Sequence, residues 1–231
     1  MTLGIETATP VCSVGLSDGR EILSVVTGRP GRQHAERLLP MVDAALRAAG
    51  LVQEDIEGLS VSAGPGSFTG LRIGLSTAKG IALSADLPLT LVSTLAGLAA
   101  GLVGTVHQRI CPLLDARRGL VYTGIYRVDE GGIAKVGEDG AKTIDQVIEE
   151  TVEPTIFLGE GALKFEERLR VVEHGSLAPR ALCDPNGAAV AHLGALQIEA
   201  GMITDVEAAE PNYCRASQAE RERVKDPDER G

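Results

Sequence analysis

The stretch Ser62-Ala63-Gly64-Pro65-Gly66-Ser67-Phe68-Thr69-Gly70-Leu71-Arg72-Ile73-Gly74 restricts the fold more than any other part of the chain. The apolar, β-branched run before it, Leu59-Ser60-Val61, reads as a buried strand. A Gly-Pro-Gly turn follows, and the helical pattern after it carries Gly70, Gly74 and Gly80 in its body. Each interior glycine costs a helix roughly 1 kcal/mol against alanine. Something must therefore sit very close to this helix, and a phosphate or a tightly packed neighbour are the two candidates. A Walker loop needs Gly-Lys-Ser/Thr opening the helix, but Lys79 is preceded by Ala78 and lies well beyond Thr69. The dinucleotide fingerprint needs glycine where Thr69 stands. The helix start could still hold an anion through its free amides, but close packing is the better reading. Gly70, Gly74, Thr77, Ala78 and Ile81 recur at helical spacing as a smooth stripe. That stripe faces either the chain's own domain or another molecule.

The rest of the chain reads as one pattern used twice. In the first half, strands at Leu3–Thr7, Val11–Leu16 and about Glu21–Val26 precede a helix from His34 to Ala49, which Gly50 stops. Pro40 lies inside that helix and should kink it. A strand at Leu59–Ser62, the glycine helix to about Ser84, a strand at Leu89–Val92 and a short helix complete the half. In the second half, strands at Ile110–Leu114, Leu120–Tyr126 and Ile133–Val136 lead to a helix at Ile144–Glu150. The turn Asp129-Glu130-Gly131-Gly132 separates the last two of those strands. A strand at Thr155–Leu158, a helix at Ala162–Arg170 and a final helix at Asn186–Ala200 follow, the last with Asn186 as its cap. This predicts a duplicated α/β protein with a mixed sheet in each copy: domains over 1–105 and 106–214, then a tail over 215–231. The tail holds five basic and five acidic residues with one large apolar side chain, too little to order itself. Each copy ends its first strand on an acid, Glu6 in one and Asp115 in the other.

Composition excludes several roles. The net charge is −10, Trp is absent, and there are three Phe and three Tyr, so the surface repels phosphate and offers little for base stacking. If the protein acts on a nucleic acid, another subunit should grip it. No apolar run is long enough to span a bilayer, and the N-terminus enters a strand pattern at once, so a cytoplasmic protein is expected. Cys12, Cys111, Cys183 and Cys214 lie far apart without a Cys-x-x-Cys pair, which points to reduced thiols rather than a zinc site or disulfide framework.

Several segments together resemble one family. Glu6-Thr7-Ala8-Thr9 with Cys12-Ser13-Val14-Gly15-Leu16 is similar to its opening hairpin. His34-Ala35-Glu36-Arg37-Leu38-Leu39-Pro40 resembles its His-Ser-Glu-x-Leu-Leu-Pro helix, and Gly64–Gly74 continuing to Ala78-Lys79-Gly80 its longest signature. Asp115-Ala116-Arg117-Arg118-Gly119-Leu120-Val121-Tyr122 and Pro211-Asn212-Tyr213-Cys214-Arg215 are similar to its later motifs. The family is the bacterial TsaB group of tRNA threonylcarbamoyladenosine biosynthesis proteins. The resemblance is dense over 1–95, sparse over 125–205, and absent after Arg215.

The resemblance implies two RNase H-like domains of the actin, sugar-kinase and chaperone ATPase superfold. It also implies a non-catalytic partner of the paralogous catalytic subunit TsaD, joined by the ATPase TsaE. Together they transfer threonylcarbamoyl to N6 of the adenosine 3′ of the tRNA anticodon. Alone, such chains form homodimers through the surface that TsaD uses, and tRNA is reached only through the complex. The catalytic paralogue binds metal through His-x-x-x-His plus an acid. Here His34 is followed four residues on by Leu38, so the second ligand is missing, and His107, His174 and His192 have no partner spacing. His34 is expected as a helix-terminus hydrogen-bonder or contact residue, and no metal or cofactor is expected, though a nucleotide at the subunit interface stays open. The nucleotide cleft is expected to be degenerate. Its remnants would be Glu6, Asp115, Gly159 and Gly161, with Gly159-Glu160-Gly161-Ala162 similar to an adenosine-side turn or simply a glycine turn. The helices starting near His34 and Thr69 are expected to form the partner surface. His34, Leu38, Val42, Gly70, Ile73, Gly74 and Thr77 are the candidate contacts, and Gly74→Arg should abolish pairing without harming the fold. The alternatives are a self-sufficient metallopeptidase-like or ATP-hydrolysing enzyme of the same superfold, and direct tRNA binding without a partner.

Overall fold

A computed structural model describes residues 1–31, 33–102, 109–129 and 132–213. In the first sheet, β1 (Thr2–Glu6), β2 (Cys12–Ser17) and β3 (Ile22–Gly28) form an antiparallel meander. Helix α1 (His34–Ala49) follows and stops at Gly50, whose φ of 69° is the left-handed conformation that glycine adopts freely. It runs through Pro40. Strand β4 (Gly58–Gly64), helix α2 (Phe68–Ala85) and strand β5 (Leu89–Ser93) come next, with β4 parallel to β1 and β5 parallel to β4. The spatial order is β3-β2-β1-β4-β5. Ser67 caps α2 by accepting from the Gly70 amide. Helix α3 (Thr94–Ala100) then leads away to the second sheet.

That sheet repeats the plan. It contains β6 (Arg109–Asp115), β7 (Leu120–Thr123), β8 (Tyr126–Asp129), β9 (Gly132–Lys135) and β10 (Gly140–Thr143). Helix α4 (Ile144–Glu149), β11 (Thr155–Leu158), short helices α5 (Glu160–Lys164) and α6 (Glu166–Leu169), and β12 (Gly175–Leu177) complete it. The order β10-β7-β6-β11-β12 matches the first sheet position by position, and the antiparallel and parallel pairings match too. The expected duplication is present as two RNase H-like sheets.

One strand of the repeat is misplaced by the sequence reading. The third position is taken by Gly140–Thr143, whereas Gly132–Lys135 pairs with β8 as a side hairpin. The expected strand Leu120–Tyr126 divides at Gly124-Ile125. Along β6, Leu113–Asp115 pair with β7 and Arg109–Ile110 with β8. Pro112 stands between the two registers and has no N–H to continue either ladder.

The final helix, α7 (Gly187–Glu199), corrects the expected boundary of a second domain over 106–214. It lies across β1, β2 and β4 of the first sheet, because small residues on both sides let the backbones touch. A Cβ on Gly4 would meet Ala191 and Gly187, and one on Gly15 would meet Ala188. The Ser60 hydroxyl donates to the Val190 carbonyl at 2.9 Å, and the Gly187 amide donates to Ser13 Oγ at 2.9 Å. The chain then stays with the first sheet. The Thr204 amide donates to Leu89 O at 2.8 Å, and the Asn212 amide to Ala63 O at 2.6 Å. Lys79 Nζ donates to the carbonyls of Glu207 and Ala209, each at 3.0 Å. Between the sheets, Asp139 accepts from Tyr126 of β8 at 2.9 Å and from Ser93 of β5 at 3.2 Å. His107, the Glu130-Gly131 turn, Cys214 and the expected tail 215–231 lie outside the described residues. Among the described residues, no helix is long and apolar enough to cross a membrane.

Candidate functional site

The two acids at the matched strand ends have different surroundings. Glu6 closes β1 and is fully buried. Its carboxylate accepts from the Ala8 amide at 2.6 Å and from the Ser62 hydroxyl. Burial pushes its pKa from 4.5 up to about 7, against the opposing pull of those two hydrogen bonds. The start of α2 lies directly on the turn that follows. The Thr7 hydroxyl donates to the Gly70 carbonyl at 2.9 Å, and the Ser67 amide to Ala8 O at 2.7 Å. A Cβ on Gly70 would run into the Thr7 carbonyl, and one on Gly66 into Ala8. The start of α2 thus fills the space over the first hairpin, and Glu6 is sealed behind it.

Asp115 is partly exposed and paired with Lys164 at 2.9 Å, while its Oδ1 also accepts from the Arg117 amide at 2.9 Å. Next to it, Gly159 has a φ of 100°, and both Gly159 and Gly161 rest on the Leu113 carbonyl at the end of β6. Backbone geometry and close packing account for both glycines. Glu160 between them is pushed up in pKa by burial, and the charges of Asp115 and Asp184 add to that. Asp115, Gly159 and Gly161 therefore come together at the C-terminal ends of the interior strands β6 and β11, whereas Glu6 is locked inside the first sheet.

The expected partner face divides in two. Gly70 and Gly74 point inward: beyond the Gly70 contact, a Cβ on Gly74 would meet Thr7 Oγ1, with Val61 Cγ2 at 3.4 Å and Ile5 Cγ2 at 3.5 Å. Gly70, Gly74 and Ala78 of the smooth stripe are buried against the chain's own first sheet, so the two glycines cannot touch a partner, and Gly74→Arg would break the fold rather than the pairing alone. Leu38 (1% exposed) and Val42 (7%) are core residues under α1 for the same reason, since its apolar stripe covers β2 and β3. His34 is 8% exposed and its Nε2 lies 3.2 Å from the Thr9 carbonyl, a hydrogen bond that ties α1 to the first hairpin. Ile73 and Thr77 do reach the surface. With Ala35, Phe68, Thr69, Arg72 and Ser76 they line an open groove of about 500 Å³ between α1 and α2. Leu39, 54% exposed, lies on the outer side of α1.

Sequence reasoning missed the contact that holds Phe68 and Arg72 in place beside the groove. The Tyr213 ring stacks on Phe68 with centroids 5.0 Å apart, and Arg72 sits 4.0 Å above Phe68 and donates to the Tyr213 hydroxyl at 3.2 Å. The usable signal was Arg72 and Phe68 on one helical face, four residues apart. Its partner, Tyr213, is remote in sequence.

Residues 25–223 match the family model described as TsaD, tRNA N6-adenosine threonylcarbamoyltransferase. A Bacillus subtilis protein named tRNA threonylcarbamoyladenosine biosynthesis protein TsaB is 30% identical over 94% of this chain and 95% of its own length. The chain belongs to the TsaB family. The Escherichia coli TsaB protein is 40% identical over 65% of this chain, a stretch that spans 65% of that relative. A crystal structure of a Pseudomonas aeruginosa protein described as similar to the peptidase YeaZ superposes with a TM-score of 0.81 at 28% identity, covering 93% of this chain and 99% of that one. In this TsaB-family chain, the signature running from Gly64 to Gly80 therefore has a structural meaning: it seats α2 on the first hairpin.

Proposed function

We propose that this chain is an accessory subunit, without catalysis of its own, in the formation of threonylcarbamoyladenosine on tRNA. It pairs with a TsaD-like catalytic subunit, and a TsaE-like ATPase joins them. One observation supports this above the rest. Glu6, the acid that ends the first strand, is buried under α2 and hydrogen-bonded on both oxygens. A carboxyl with no exposed surface, each of whose oxygens already accepts a hydrogen bond from the protein, has no open face for a metal or a substrate. No cofactor is assigned to this chain. Its work is to present a surface, and tRNA is engaged through the assembled complex in the cytoplasm.

The pairing surface is the outer side of α1 and α2, centred on Ile73 and Thr77 with Arg72 and Phe68 at its edge. The inward glycines set how deeply α2 sits and thereby fix where these side chains stand. In the absence of the catalytic subunit, a second copy of the chain occupies the same face. The test is Ile73→Asp. Ile73 is half-buried and packs against the first core, so the variant should lose about 1–3 kcal/mol, and its fold is checked by circular dichroism before pairing is read. It should lose co-elution with the TsaD-like subunit and elute as a monomer when alone. Unaltered co-elution by a folded Ile73→Asp protein would place the partner elsewhere.

A further inference from the structure

The hairpin between β6 and β7 contains an arrangement that the pairing surface does not use. Arg117 and Arg118 stand consecutively at its tip with φ of 61° and 52°, followed by Gly119 at 79°. Left-handed backbone favours glycine or asparagine, so arginine at both positions retains its side chain against local preference. The tip is firmly held. The Ala116 amide donates to Leu120 O at 3.0 Å, the Leu120 amide to Arg117 O at 3.1 Å, and the Arg117 amide to Asp115 Oδ1 at 2.9 Å. Asp115, the nearest acid, already pairs with Lys164 at 2.9 Å, and the arginine side chains point into solvent. Among the described residues, neither guanidinium has an ion-pair partner. On a chain of net charge −10, two uncompensated guanidiniums on a rigid tip are a local inversion of sign.

We propose that the Arg117-Arg118 tip contacts the sugar–phosphate backbone of the RNA that the assembled complex modifies. The proposal rests on the accessory-subunit function above. Guanidinium forks bind phosphate oxygens in a bidentate manner, and a preorganised pair loses little on doing so. The tip belongs to the second sheet, whereas the pairing groove lies on α1 and α2 over the first, so the tip is not part of that groove. The contact would orient the RNA without reading its sequence. It also fits the charge of the chain. Two phosphate contacts cannot hold RNA alone against a net −10, but they add to the grip of a larger assembly.

The test uses the full chain assembled with the TsaD-like and TsaE-like subunits and an unmodified tRNA transcript, with affinity measured across a range of salt concentrations. The double variant Arg117→Asn/Arg118→Asn keeps residues that accept left-handed backbone and removes both charges. It should assemble as the wild type does, bind tRNA about tenfold more weakly, and lower the slope of log affinity against log salt by about 1.5. Arg117→Lys/Arg118→Lys, which keeps the charges but loses the forks, should keep the wild-type salt slope and bind a few-fold more weakly than wild type. Unchanged affinity and slope in the asparagine variant would overturn the proposal. So would loss of assembly, which would make the tip a protein contact. If the wild-type subunits themselves neither assemble nor modify tRNA, the accessory-subunit function fails and the tip's RNA contact fails with it, an outcome seen without any variant.

Discussion

Gly74 and Gly80 lie on the same helix, and the same substitution should move stability in opposite directions at the two positions. At Gly74 an added methyl meets Thr7 Oγ1, with Val61 and Ile5 methyls at 3.4 and 3.5 Å behind it. Thr7 cannot swing away freely, because its hydroxyl donates to the Gly70 carbonyl one turn earlier at 2.9 Å. Overpacking of this kind costs about 1–3 kcal/mol. Disturbing the Thr7 hydrogen bond adds about 1 kcal/mol. Removing a helical glycine returns about 1 kcal/mol. Gly74→Ala is therefore destabilising by about 1–3 kcal/mol, a fall in Tm of roughly 3–10 °C for a chain of this size. At Gly80 a methyl meets nothing within 4 Å, so Gly80→Ala keeps only the helical gain, about 0.5–1 kcal/mol of added stability. Urea and thermal unfolding of the two variants beside the wild type give the answer. A Gly74→Ala protein as stable as the wild type, or stabilised like Gly80→Ala, would refute the inward packing of α2.

Two further predictions follow from the buried and stacked groups. Glu6 has its pKa raised from 4.5 to about 7, so the folded state binds more protons than the unfolded one across that window. Its contribution to stability is full below about pH 4.5, falls as pH rises to about 7 by roughly 3 kcal/mol in total, and is flat above. Glu6→Gln, which copies the protonated carboxyl, should remove that part of the pH dependence and be more stable than the wild type at pH 8; superimposable urea-unfolding profiles over pH 5–8 would contradict this. Tyr213→Ala should detach the stack on Phe68 and the Arg72 hydrogen bond, lowering stability by about 1–2 kcal/mol and raising hydrogen exchange at the Asn212 amide that donates to Ala63. Unchanged exchange there would show that Tyr213 does not hold the C-terminal segment in place.

The sequence conveyed local structure well and direction poorly. The strands Thr155–Leu158 and Leu89–Ser93, helix α1 with its Gly50 stop and helix α7 with its Asn186 cap all follow from periodicity and capping, which are local effects. The matched sheets were legible because the same strand and helix pattern occurs twice. The three-residue β12 and the polar β10 carry too little pattern to be seen. The return of α7 to the first sheet depends on contacts between residues such as Gly4 and Ala191, which no local window relates. Helical spacing placed Gly70 and Gly74 on one face, but it does not say whether that face looks toward the sheet or away from it. Leu38 and Val42 carried a clearer sign, since the apolar stripe of an amphipathic helix faces its own core.

On the proposed function, threonylcarbamoyladenosine formation requires this chain, while another subunit performs the chemistry. Purified TsaD-like and TsaE-like subunits, an unmodified tRNA transcript and a supplied threonylcarbamoyl-adenylate donor allow it to be measured directly, by quantifying modified adenosine with this chain present, with it omitted, and with it alone. Product is expected only when this chain joins the other two subunits. Product from this chain alone, or equal product in its absence, would contradict the proposed function.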